Sequence, residues 1–227
     1  MLYLERIPDP PLASLIRTLW YCRAPQLPHR RERVLPNGCM QVILNLSRSY
    51  LTDCGTDGRA NRRLPGAIVV GARARYEVVD AADMEELAGI WFQPGGFAGL
   101  FHERADLFFG QSIALDDVWA GSRIAGRLRE VPAPAEKLRT LEMLLTRRFH
   151  RGGCGPQLVQ HALHLFQDKA LSVAECARSA GVSERRLSQV FREQVARILT
   201  LLFPAASCHP EQTRVLLPLS LRLARKP

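Results

Sequence analysis

The sequence has little lysine and no regular cysteine pattern. Of its 31 basic residues, only Lys137, Lys169 and Lys226 are lysine. The six cysteines are scattered, with no Cys-x-x-Cys pair and no framework of regular spacings. Free thiols in a reducing compartment fit this pattern best.

The sequence also lacks a long apolar run. No stretch reaches the roughly 18 apolar residues that a membrane span needs. The N-terminal segment contains Glu5 and Asp9 in place of the basic start and apolar core of a signal peptide. We therefore expect a cytoplasmic protein with no membrane partner.

The composition is that of a folded, basic protein. Hydrophobic residues make up 47% and charged residues 23% of 227 residues, which is enough for two domains with cores of their own. The formal charge of +9 favours a polyanionic partner, because neutralising phosphates releases counterions. Codon composition also produces such an arginine excess, so the charge alone does not identify the partner.

The first part of the sequence predicts a small β domain. Short β-rich runs alternate with turn residues from Leu15 to about Gln93. The predicted strands are Leu15–Tyr21, Met40–Leu46, Ala67–Gly71, Tyr76–Val79 and Leu87–Phe92. Two basic clusters, Arg59 to Arg63 and Arg73 to Arg75, are expected in exposed loops.

The pattern turns helical after Gln93. Short helices are predicted around Phe97 and over Leu115 to Trp119, and an amphipathic helix over Ala135 to Phe149. Glycines 152, 153 and 155 predict a hinge, and Pro156 opens a further helix. The expected fold class is α+β, with a β domain at 1–115, a helical connector at 116–155 and a helical unit at 156–195.

Residues 172–194 predict a helix-turn-helix. Ser172 and Glu175 form a capping box, and the small Ala177 suits a close helix crossing. Gly181 permits the left-handed turn that ends the first helix, and Ser183 is a second N-cap. Leu187, Val190 and Phe191 then recur with helical spacing and predict a second helix packed on the first.

The exposed face of the second helix has side chains suited to DNA. In such units the second helix enters the major groove of double-stranded DNA, the expected partner. Arginine pairs with guanine and glutamine with adenine, whereas flanking arginines hold phosphates. The alternative is a two-helix corner of another α domain with solvated charges. The candidate DNA-binding residues are Arg185, Arg186, Ser188, Gln189 and Arg192.

The predicted helix-turn-helix at residues 172–194 resembles the first helix-turn-helix of an AraC/XylS-type transcription regulator. Three earlier segments are similar to the cupin-like sensor domain of some members. The resemblance implies a DNA-binding regulator that responds to an unidentified small-molecule effector, with base contacts from Arg185, Ser188 and Gln189. The segments are Leu171–Glu175 and Gly181–Glu193, and Arg33–Cys39, Trp91–Phe97 and Leu115–Trp119 in the cupin-like part.

The resemblance ends near Val195. Members carry a second helix-turn-helix, but Ala196 to Pro227 is rich in leucine and proline without helical phase. We interpret this tail, residues 196–227, as a frameshift product, because Ile198 to Thr200 encodes the family's Phe-Ser-Pro one nucleotide on if written AUU CUC ACC. The competing interpretation is a natural truncation whose tail packs on the domain or pairs two subunits in a homodimer.

The sequence gives little support for catalysis. The β region offers His29 alone, whereas a metal-bearing cupin needs two or three histidines and a carboxylate, so we expect neither a metal nor another cofactor. His161 and His164 share a helix face but are more typical of surface or packing roles.

Two aromatic pairs alternate along predicted strands, Trp20 with Tyr21 and Trp91 with Phe92. One residue of each pair is expected to face a core, which is also a candidate effector pocket. The alternatives are a small cupin-type enzyme with an accessory helical domain and a relic that does not bind DNA.

Overall fold

A computed structural model describes residues 1–24, 29–36, 38–149, 157–169 and 171–195. The predicted hinge at residues 152–155 and the tail at 196–227 lie outside these ranges. Ten strands come first. They are β1 (Leu2–Arg6), β2 (Ile16–Arg23), β3 (Arg31–Val34), β4 (Gln41–Asn45), β5 (Tyr50–Asp53), β6 (Arg62–Pro65), β7 (Ala67–Val70), β8 (Glu77–Asp80), β9 (Glu86–Phe92) and β10 (Ser112–Ala114).

The strands form two antiparallel sheets. The larger has the order β1-β2-β9-β4-β7-β10, and the smaller has the order β3-β8-β5-β6. Five of these strands, β2, β4, β7, β8 and β9, lie within about two residues of their predicted positions. The other five are short or rich in charged residues, so alternation did not reveal them.

The larger sheet is covered on both faces. Leu19, Tyr21 and Phe92 belong to the main core, which also contains buried apolar side chains of the helices that follow the sheet. Trp20 and Trp91 belong to a second core on the opposite face. The expectation that one residue of each aromatic pair faces a core was therefore incomplete, since all four rings are buried.

The helices follow the larger sheet and complete the α+β fold that the sequence predicts. The short 3-10 helix Ala105–Phe108 comes shortly before β10. No helix in the described part of the chain is long and apolar enough to cross a membrane. The α-helices are α1 (Gly96–Phe101), α2 (Leu115–Val118), α3 (Ile124–Glu130), α4 (Pro134–Arg148), α5 (Gln157–Lys169), α6 (Val173–Ser179) and α7 (Glu184–Val195).

The predicted basic loops are only partly loops. Arg62 and Arg63 lie in β6, where Arg62 pairs with Asp53 at 3.1 Å across the hairpin. Arg73 follows β7, and its guanidinium is 2.9 Å from Glu77. Arg62 and Arg73 are thus each paired with a carboxylate close to them in the fold, which the one-dimensional pattern does not reveal.

Candidate nucleic-acid interface

The short helix α6 begins at a complete capping box. Ser172 Oγ accepts a hydrogen bond from the backbone amide of Glu175 at 3.3 Å, and the Glu175 carboxylate accepts from the Ser172 amide at 2.8 Å. These bonds satisfy amides that have no partner inside the helix. The hydrogen bonds from Ser172 hold the pKa of Glu175 below its ordinary value. The sequence prediction of this cap is confirmed.

A tight turn joins α6 to α7. Gly181 has a φ of +68°, the left-handed conformation that glycine adopts without steric cost. The Val182 amide donates to the carbonyl of Ala177 at 3.0 Å, which closes the end of α6. Ser183 Oγ then accepts from the Arg186 amide at 3.2 Å and caps the start of α7, as expected.

An apolar core holds the two helices together. Ala177 is 2% exposed, and Leu187 and Phe191 are fully buried in the same cluster. Val159 and Phe166 of α5 belong to it too, and the Phe166 and Phe191 rings meet edge to face at 6.2 Å. The unit is therefore a three-helix arrangement, in which α5 fixes the pair α6 and α7.

All five predicted DNA-binding residues lie on α7, on the side away from this core. Four are exposed, and Ser188 is half-buried. Helical spacing places Arg185, Ser188, Gln189 and Arg192 along one stripe. These four residues border a cleft of about 390 Å³, whereas Arg186 does not. The structure thus brings four of the five candidates together.

The opposite wall of this cleft belongs to the β domain. Arg104, which precedes the 3-10 helix Ala105–Phe108, lines the cleft together with the stripe on α7. Its guanidinium is 3.7 Å from the Glu193 carboxylate of α7. Glu193 in turn accepts a hydrogen bond from the Gln189 amide at 3.0 Å. Neither Arg104 nor Glu193 was a predicted site residue.

Arg104 joins two carboxylates at this contact. It also donates two hydrogen bonds to Asp106, at 2.7 and 3.1 Å. These bonds hold the pKa of Asp106 below its ordinary value, and the charge of Arg192 acts in the same direction. A second contact between the two parts of the chain is a hydrogen bond of 2.6 Å from the Gln160 amide to the Ser14 carbonyl.

A second candidate site is a cavity between the two sheets. Its volume is about 120 Å³, and its lining is mainly apolar. The rings of Trp20 and Trp91 lie 6.1 Å apart on one wall. Trp91 Nε1 donates to Gln41 at 2.9 Å, but Trp20 Nε1 is buried without a hydrogen-bond partner. A small molecule with a hydrogen-bond acceptor would satisfy this N–H group.

The charged side chains in the cavity wall are all acidic. Glu77 lies among them, and burial raises the pKa of its carboxyl group while Arg73 opposes the shift. Burial also raises the pKa of the Cys22 thiol to about 11, so this cysteine is a neutral thiol at pH 7. The cavity lining includes no arginine, lysine or histidine.

Metal-ligating clusters are absent from the described ranges, where no group of three or more His, Cys, Asp or Glu side chains converges. His29 lies 2.8 Å from Glu32 and not among other histidines. His161 and His164 both lie on α5, as the sequence predicts.

Comparisons with known proteins concern the β domain alone. Residues 4–114 match the family model described as a domain of unknown function (DUF6597). No curated protein and no solved structure matches the chain. The matched range begins within β1, contains all of β2 to β10 and includes Arg104, the arginine that faces α7.

Proposed function

We propose that this chain is a sequence-specific DNA-binding transcription regulator, in which α7 is the recognition helix. The observation that carries this proposal is the unit formed by α6, the Gly181 turn and α7. Its apolar side is buried and its other side presents arginine, glutamine and serine. A helix of this kind enters the major groove while the preceding helix spans the backbone.

The stripe on α7 has the chemistry to read bases. Arg185 and Gln189 lie one turn apart, which matches the reach of a helix over neighbouring base pairs. Ser188 lies between them. Arg186 and Arg192 extend the positive charge on either side, where phosphates flank the groove. The net charge of +9 supports this partner, and a cytoplasmic location is part of the same proposal.

The β domain is the sensor in this proposal. Its cavity, about 120 Å³, is close in size to the apolar cavities of about 150 Å³ that admit benzene. We therefore infer an effector the size of a single ring, largely apolar, with one acceptor for Trp20 Nε1. Anionic effectors are disfavoured, because the ionisable side chains in the lining are acidic.

Selection of binding sites from random double-stranded DNA tests the proposal. The whole chain should enrich a sequence motif, and Gln189→Ala should lose the preference at one position. Gln157→Ala is the matched control, because it removes the same side chain from an exposed position on α5, outside the candidate stripe. Equal recovery of all sequences by the wild type and by Gln189→Ala contradicts sequence-specific binding.

A further inference from the structure

The residues proposed to read DNA face the protein's own β domain. Four of the five candidate residues border the cleft whose other wall is Arg104. A major groove is about 12 Å wide and is bounded by two phosphate backbones, so a recognition helix needs its whole reading face open. A cleft of about 390 Å³ that has Arg104 on its other wall is too small for a duplex to enter.

Charge and hydrogen bonding hold the cleft together. Arg104 bridges Asp106 on its own side to Glu193 on α7. Glu193 also accepts a hydrogen bond from Gln189, a predicted base-reading residue. The amide that is expected to pair with a base is therefore engaged within the protein. The charge of Arg192 also acts on Asp106, because it helps to lower the pKa of that carboxyl group.

We propose that residues 104–108 act as a latch, which covers the reading face of α7 and releases it when the regulator binds DNA. This inference rests on the proposed function and adds its regulation. The chain then has a closed state and an open state, and DNA binds the open state alone. The apparent dissociation constant equals the intrinsic constant divided by the open fraction.

The position of the latch connects it to the sensor. Ala105 and Phe108 are buried in the main core, where the Phe108 ring lies 4.9 Å from the Phe97 ring. Phe92, at the end of β9, packs on Phe97 in the same core. β9 also carries Trp91, which lines the cavity between the sheets. A ligand that shifts β9 can therefore displace the latch through these packed side chains.

The test is the Arg104→Ala variant. For this variant the latch and the simple loss of a positive charge predict opposite changes in DNA affinity. Removing a positive charge weakens binding to a polyanion, whereas opening the latch strengthens it. Arg59→Ala is the matched control: it removes the same charge from an exposed position in the turn before β6. Arg104 is itself more than half exposed, so its truncation leaves the core intact.

Two measurements are made on the whole chain. The first is the dissociation constant for a random-sequence duplex at fixed salt. The second is hydrogen–deuterium exchange of peptides from residues 104–109 and 184–195. We expect Arg104→Ala to tighten binding about two- to fivefold, the range that loss of an exposed ion pair allows. Exchange should rise in both peptides, and Arg59→Ala should instead weaken binding and leave exchange unchanged.

The possible results separate the latch from the DNA-binding function. If Arg104→Ala weakens binding as Arg59→Ala does, with unchanged exchange, the latch is wrong while DNA binding stands. If exchange rises but neither the wild type nor either variant binds any duplex, the proposed function is wrong and the regulatory role of the latch falls with it.

Discussion

Trp20 of β2 lies across Gly89 of β9, its direct partner in the sheet. A Cβ atom built on Gly89 would overlap Cε2 and Cζ2 of the indole and the carbonyl oxygen of Val42 on the next strand. The missing side chain is what allows the large ring to lie flat on the sheet. Trp20 then forms one wall of the cavity.

We therefore expect Gly89→Ala to destabilise the β domain. Overpacking of this kind costs about 1–3 kcal/mol, and here a backbone atom prevents easy relief. Chemical denaturation gives the free energy of unfolding. Gly126→Ala on α3 is the control, because nothing lies within 4 Å of the position of its new methyl group. That variant should gain up to about 1 kcal/mol from helix propensity. A Gly89→Ala chain as stable as the wild type contradicts the packing of Trp20 on Gly89.

The capping box of α6 gives a second prediction. Ser172→Ala removes the acceptor for the Glu175 amide and should cost about 0.5–2 kcal/mol of stability. Ser179→Ala, at the exposed end of the same helix, is the control. Thermal unfolding of both variants checks the difference. Equal midpoints would show that the cap does not contribute.

The same cap predicts a pH dependence. The pKa of Glu175 is held low in the folded chain by its hydrogen bonds to Ser172, so the carboxylate stabilises the fold above its unfolded pKa. That contribution is lost as the pH falls through the folded value. The gap between the wild type and Glu175→Gln should therefore narrow in acid. A gap that stays constant from neutral to acid pH contradicts the contribution of this carboxylate.

Ala177→Leu tests the crossing of α6 and α7. Ala177 is almost fully buried against the core of the helical unit, so a larger side chain has no space. We expect a cost of about 1–3 kcal/mol. Ser179→Leu is the matched control, since position 179 is exposed on the same helix. A thermal midpoint for Ala177→Leu equal to that of the control would mean that the helices do not cross at this residue.

Local signals made the helical unit predictable from the sequence. The caps and the turn depend on contacts between residues close in sequence, made by Ser172, Glu175, Gly181 and Ser183. The apolar residues of α7 also recur with helical spacing over its whole length. Capping, turn geometry and burial therefore agree at one place. The α+β order of the chain was predictable for a similar reason, because the change from period two to period 3.6 occurs near Gln93.

Long-range pairing is what the sequence does not reveal. Arg104 and Glu193 are two charged residues far apart in sequence, and no periodicity connects them. Lys137 on α4 is similar: it is 4% exposed, and its ammonium group donates to the Leu128 carbonyl at 2.6 Å. A lysine is rarely buried, so the pattern predicts a solvated residue. Only the folded chain shows the acceptors that permit its burial.

The last prediction separates the roles of Gln189 and Arg192. Both line the cleft, so each substitution is compared within the Arg104→Ala chain, in which the latch no longer hides a difference in DNA contact. Gln189→Ala should lose about 1–3 kcal/mol on the selected sequence and little on random DNA, because an amide pairs with one base. Arg192→Ala should weaken both duplexes alike and reduce the salt slope by about one, because a guanidinium on a phosphate releases one counterion. The measurement is a titration of each duplex over a range of salt concentrations. Equal losses on both duplexes for Gln189→Ala contradict base reading by this residue, and a change of motif caused by Arg192→Ala contradicts its assignment to the phosphate backbone.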